Sequence, residues 1–184
     1  MTYKAEIPYG AYWSTPFARW QGSFANLHSI EFAAQVAKHE LAKRNIDPKV
    51  FDYGALGFSV PQKHAFYGLP WLTGLIGAGQ AGGPTLMQAC ATGVRTLLAA
   101  VQEIEVSLCS TALVINCDRT PNGPHLYYPN PKGPGGTGVA EDWVMDNFGC
   151  DPLGRHSMLQ TAENVAKKHG IGTAEQHELV LRRE

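Results

Sequence analysis

Cys90 stands in Met87-Gln88-Ala89-Cys90-Ala91-Thr92-Gly93-Val94-Arg95, where an uncharged, strand-like run passes directly into a helical pattern. A thiol at a helix N-terminus lies beside unpaired backbone N–H groups and the positive end of the helix dipole. Both favour the thiolate, which is the nucleophilic form of cysteine. Ala91, Thr92 and Gly93 are small enough to let an acyl group approach the sulfur. The segment fits an acyl-accepting nucleophile, and it names no base. It also fits a small buried cysteine of the core, a common and inert placement.

The elements that must position this thiol follow from local pattern. Residues 5–13 alternate loosely before Thr15-Pro16-Phe17, which predicts a first strand running into a turn. Ser29 is a suitable N-cap for a helix to about Arg44, with Ile30, Ala33, Ala34, Ala37 and Leu41 on its apolar face. Asn45 and Pro48 end it. Residues 50–60 and 84–89 read as strands, and 112–115 as a short, fully apolar one. The helix that begins at Cys90 carries Val94, Leu97, Leu98, Val101 and Ile104 on one face.

Strands alternating with helices in this way predict an α/β fold with a mostly parallel sheet covered by helices. Beyond Asp118 the texture changes: 120–140 is rich in proline and glycine with no helical or strand period, which predicts a loop-rich insertion. Helical pattern resumes at Thr161 and is closed by Gly170, and Thr173 with Gln176 forms a capping box for a last helix. The expected division is an α/β domain over 1–118 carrying the nucleophile, then the start of a loop domain over 119–184.

Composition excludes several classes. Of 184 residues, 44% are hydrophobic and 17% charged, and the formal net charge is −1, the profile of a folded domain with a real core. No block of Lys and Arg suggests nucleic acid or an anionic membrane surface. The four cysteines, at 90, 109, 117 and 150, form no C-x-x-C pair and match neither a zinc site nor a secreted disulfide framework. A reducing, cytoplasmic setting is the expectation, with no metal. The run from His64 to Val94 lacks Lys, Arg, Asp and Glu, but prolines and glycines break it, so buried soluble structure is expected there rather than a membrane span.

Four segments together resemble the N-terminal half of a thiolase. Thr15-Pro16-Phe17-Ala18-Arg19-Trp20-Gln21-Gly22-Ser23 is similar to T-P-F-G-R-x-x-G-S, and Cys90-Ala91-Thr92-Gly93 to the nucleophile motif C-A-S-G. Asn122-Gly123-Pro124-His125 resembles N-A-P-H. Met158 with Thr161-Ala162-Glu163-Asn164-Val165-Ala166 resembles M-G-x-T-A-E-N-V-A. Departures lie between these matches. Ile115-Asn116 stands where the family has a Gly-Gly pair, Cys117-Asp118-Arg119-Thr120-Pro121 replaces M-E-S-M-S, and His64-Ala65-Phe66-Tyr67 lacks N-P-A-R.

The resemblance implies a layered thiolase-type fold and acyl transfer between acyl-CoA and CoA through an acyl-Cys90 intermediate. It implies coenzyme A as substrate carrier with no bound cofactor, and a homodimer or tetramer in which 84–89 lies at a twofold contact. Met158 would line the acyl pocket, with His125 and His156 as further substrate-binding candidates. Trp143 and Phe148 fit either an acyl pocket or local packing. The family's G-H-P histidine and C-x-G cysteine do not occur in this sequence. A second chain supplying that half, a ketosynthase-like or hydroxymethylglutaryl-CoA synthase-like relative, and a non-catalytic subunit for assembly or acyl-CoA binding remain the other readings. Thr161–Ala166 argues against the ketosynthase-like one.

Overall fold

The structure, a computed structural model, describes residues 4–120 and 123–183. It divides into two compact units, Met1–Pro124 and His125–Glu184. The first holds a three-stranded parallel sheet in the order β2-β1-β3, with β1 at Tyr53–Gly57, β2 at Thr85–Leu86 and β3 at Ala112–Asn116. Helices α1 (Ser29–Lys43), α2 (Gly68–Ile76) and α3 (Thr92–Glu105) accompany it.

Strand periodicity assigns the helices to faces. A Cβ on Gly54 would meet Leu69 of α2, whereas one on Gly57 would meet Thr92 and Thr96 of α3. Leu56, Leu113 and Ile115 join Ile30, Ala37, Leu41, Leu69 and Leu72 in one core beneath α1 and α2. With helices on both faces, β1 is buried along almost its whole length and needs no polar alternation.

Several expectations are corrected. His28, not Ser29, caps α1: its Nδ1 accepts from the Ile30 N–H at 3.3 Å, while the Ser29 N–H donates to Gln62 Oε1 at 2.7 Å. Residues 5–13 form no strand, because side chains take their backbone bonds. The Arg44 guanidinium donates to the carbonyls of Gly10 (2.8 Å) and Tyr12 (2.9 Å), and the Glu105 carboxylate accepts from the N–H of Ala5 at 2.9 Å. The strand expected over 84–89 is cut to Thr85–Leu86.

The correction to α3 is the largest. The residues it buries are Thr92, Thr96 and Ala100, while Val94, Leu97 and Leu98 are 74%, 40% and 42% exposed. The cause is distance. A Cβ on Gly57 would lie 2.1 Å from Asn116 Oδ1 and 2.8 Å from Thr96 Cγ2, so helix and sheet approach too closely for leucines between them. The run from His64 to Val94 is likewise only partly interior: Leu69, Leu72 and Ile76 are buried, but Phe66, Tyr67 and Met87 are exposed. No helix among the described residues is long and apolar enough to cross a membrane.

In the second unit, the stretch read as structureless contains an antiparallel hairpin of β4 (His125–Tyr128) and β5 (Val139–Asp142). Its loop is closed by the Gly138 N–H donating to the Tyr127 hydroxyl at 2.6 Å. Helices α4 (Met145–Gly149), α5 (Met158–His169) and α6 (Thr173–Arg183) follow. Ser157 caps α5, and Gly170 ends it in the left-handed conformation at φ 67°. Val144 is the one buried apolar residue among the described residues of this unit.

Asp52 joins the starts of β1 and β3: its carboxylate accepts from the N–H groups of Ser110 and Thr111, both at 2.9 Å. Those bonds, with Thr111 first, hold its pKa below the ordinary value of 3.8. A depressed acid stabilises the fold above its unfolded pKa, and the gain is lost as pH falls through the folded one. Asp52→Ala is expected to cost about 1 kcal/mol near neutrality, as a surface cap does. In urea melts the gap to wild type should close below about pH 4. An equal gap across that range would refute the assignment.

Candidate functional site

β2 gives way to a single tight turn of three-residue periodicity, Ala89–Ala91, which leads straight into α3. Cys90 is the middle residue of that turn, and it is exposed. The backbone is forced there: Ala89 sits at φ 44°, a region side-chain-bearing residues rarely adopt. Such a conformation persists only where its surroundings hold it. Here Thr92 does much of the holding. Its hydroxyl donates to the Ala89 carbonyl at 2.7 Å and accepts from the Gln88 N–H at 2.8 Å.

Ser59, just beyond β1, adds a second hydroxyl, which donates to the same Ala89 carbonyl at 3.0 Å. Ser59 is itself anchored by Asp118, whose carboxylate accepts from the N–H of Ser59 at 2.9 Å and of Val60 at 2.8 Å. Burial pushes the Asp118 carboxyl up, against the opposing pull of those donors. Asn116 completes the contact between β3 and α3, with its Oδ1 at 2.9 Å from the Thr96 hydroxyl.

The other cysteines differ in kind. Burial, reinforced by Asp118, pushes the Cys117 thiol up to about 12, and burial also raises Cys109. Both shifts disfavour the thiolate, the nucleophilic form of cysteine. Cys150 is exposed in the second unit, with its Sγ 3.8 Å from the Asp151 carbonyl.

Among the described residues no histidine hydrogen-bonds to Cys90. His28 has both ring nitrogens engaged, one by the Ile30 N–H and the other at 2.7 Å from the Lys63 carbonyl. His64 packs edge-on against Trp71, with which it lines a surface concavity of about 510 Å³ together with Tyr67 and Pro70. That concavity does not include Cys90. No group of three or more potential metal ligands forms among the described residues.

The remaining candidates belong to the second unit. His125 opens β4 and faces the Asp142 carboxylate at 3.9 Å. His156 precedes α5, with Nδ1 at 3.2 Å from the Ser157 carbonyl and 3.4 Å from the Thr161 hydroxyl. Met158 is the first residue of α5 and is 42% exposed. His156 and Met158 thus flank one helix start, while His125 lies on the hairpin. Ser59 and Asp118 escaped sequence reasoning. The available signal was a short acceptor directly after an apolar strand, a weak one.

Comparison with known proteins comes to one family. Residues 11–183 match the model of the thiolase N-terminal domain. The chain is 27% identical over 176 residues to an acetyl-CoA acetyltransferase of Paracoccus denitrificans, covering 91% of this chain and 43% of that protein. It superposes on the crystal structure of the Bacillus anthracis acetyl-CoA acetyltransferase with a TM-score of 0.78 at 20% identity, over 90% of this chain and 42% of the other. Human mitochondrial 3-ketoacyl-CoA thiolase, solved in complex with CoA, gives a TM-score of 0.79 at 22% identity, over 91% and 43%. The chain therefore spans less than half the length of each of these proteins.

Proposed function

The chain belongs to the thiolase family through its N-terminal domain, and from that premise we propose that it carries the nucleophile of a thiolase-type acyl transfer. The observation that supports this most is Cys90 itself, an exposed thiol on a turn held at the entry to α3. In the proposed step the Cys90 sulfur, its proton removed, attacks the thioester carbonyl of an acyl-CoA. A bond forms between Sγ and the acyl carbon, the bond from that carbon to the CoA sulfur breaks, and CoA leaves as the thiol with a proton. Transfer of the acyl group to free CoA, or to the carbon of a second acyl-CoA, regenerates Cys90. First-turn N–H groups, which lack partners within their own helix, suit the oxyanion of the tetrahedral intermediate.

Family likeness suggests that Met158 lines the acyl site, with His125 and His156 as further substrate contacts. The base and the second acid fall to a G-H-P histidine and a C-x-G cysteine outside these residues. The outward apolar face of α3, from Val94 to Leu98, fits a surface that such a segment or partner covers. Mass-spectrometric location of an acyl group after treatment with acyl-CoA tests the reading. That no histidine hydrogen-bonds to Cys90 among the described residues favours one rival, a non-catalytic subunit that binds acyl-CoA, and an assembly in which Cys90 stays unmodified would support it.

A homodimer joined along β2 belongs to the same proposal. β2 is an edge strand, paired on one side to β1, with Thr85 exposed and Leu86 half-buried. An open apolar edge invites pairing with a second copy. The wild-type chain is expected to sediment as a dimer at micromolar concentration, and Leu86→Lys to yield monomer or insoluble protein. A wild-type chain that sediments as a well-behaved monomer would count against edge pairing.

A further inference from the structure

The Ala89 carbonyl collects three donors: the Thr92 N–H, the Thr92 hydroxyl at 2.7 Å and the Ser59 hydroxyl at 3.0 Å. Two of these come from the next turn of the chain and would follow any rearrangement of it. Ser59 comes from another element, thirty residues away in sequence. It is fixed in turn, since both Asp118 carboxylate oxygens lie 2.9 Å from its N–H. The chain Asp118–Ser59–Ala89 therefore ties the turn to the sheet.

The consequence lies one atom further on. No cis peptide bond occurs in the described chain, so the Ala89 carbonyl and the Cys90 N–H point in opposite directions within one rigid plane. Pinning the carbonyl toward Ser59 turns the Cys90 N–H the other way. The same plane fixes the N–Cα bond of Cys90, from which its side chain departs.

We propose that Ser59, held by Asp118, is a positioning residue for acylation of Cys90, fixing the Ala89–Cys90 peptide so that the Cys90 N–H meets the oxygen of the attacked carbonyl. This rests on the acyl-cysteine reading above. Asp118 here acts through Ser59 and touches no substrate.

The test compares two reactions of the same sulfur in the full 184-residue chain. S-phenyl thioacetate acylates Cys90 through a tetrahedral oxyanion: the Sγ–carbon bond forms, the carbon–sulfur bond to the phenyl thiolate breaks, and thiophenol carries away the proton. Iodoacetamide alkylates the same sulfur by displacing iodide, with no oxyanion. Both rates are read at Cys90 by peptide mass spectrometry at one fixed pH, with exposed Cys150 as the internal reference. Ser59→Ala is expected to slow acylation about 3- to 10-fold, the effect of one hydrogen bond, while alkylation changes less than about twofold. Ser59→Thr, which keeps the hydroxyl, should restore acylation. Should Ser59→Ala not fold, Asp118→Ala carries the same comparison, since it removes both oxygens that accept from the Ser59 N–H.

A wild-type Cys90 that iodoacetamide alkylates but S-phenyl thioacetate does not acylate overturns the acyl-cysteine reading, and this proposal with it. Acylation that is normal in wild type and unchanged in Ser59→Ala overturns the positioning role alone. Equal slowing of both reagents, without rescue by threonine, assigns Ser59 to folding and overturns it too.

Discussion

An assembly containing this chain, treated with acetoacetyl-CoA and quenched, is expected to carry an acyl group on Cys90 and on none of Cys109, Cys117 or Cys150. Cys90→Ser should abolish the adduct. The physical contrast among the four thiols is large. Burial holds Cys117 at about 12 and raises Cys109, so neither supplies thiolate near neutrality. Cys150 is exposed but lies beside α4, away from any turn that opens a longer helix. Serine at position 90 presents a hydroxyl, a far weaker nucleophile unless a base activates it. Loss of a nucleophile in a covalent mechanism typically costs several orders of magnitude. Labelling spread evenly over the four cysteines would sink the assignment of Cys90.

The second large effect is on turnover. The 184-residue chain on its own is expected to turn over acetoacetyl-CoA at least about 10²–10⁴-fold more slowly than an assembly that supplies the missing acid and base. Two observations motivate this. Among the described residues no histidine hydrogen-bonds to Cys90, and His28 has both ring nitrogens engaged elsewhere. In addition, α3 presents Val94, Leu97 and Leu98 outward beside the Cys90 turn, an apolar surface that fits a second segment or chain. The measurement is steady-state release of acetyl-CoA by the purified chain, then after addition of a thiolase C-terminal half. Turnover by the chain alone at ordinary enzyme rates would refute the prediction.

These expectations separate what could be read along the chain from what could not. Helix α1 was legible because its apolar residues recur every three to four positions, and α5 because Gly170 closes it. The entry to α3 at Cys90 was legible because the pattern changes from strand to helix at that point. The α/β class followed from the same local changes of period. Caps were less readable: a histidine ring nitrogen takes the place of the expected serine hydroxyl at the start of α1, and Gln62 meets the Ser29 N–H, a first-turn donor, from outside the helix.

The orientation of α3 was beyond sequence reasoning. Its leucines and valines form the more apolar stripe, yet the helix turns threonines and an alanine to the sheet. That choice depends on Gly57, thirty-five positions before Thr92, which lets the backbones approach until only small side chains fit. The hairpin of β4 and β5 was hidden for a similar reason: its register is set by pairing across the loop and by Tyr127 reaching Gly138, not by any period within 120–140. Ser59 meets the Cys90 turn because β1 and β2 are neighbours in the sheet, and Asp118 meets Ser59 because β1 and β3 are. Local pattern, then, determined which segments are helical and singled out Cys90 as the proposed nucleophile. Tertiary contact decided which way the helix faces and what holds the sulfur in place, because those depend on distances between residues far apart in the chain.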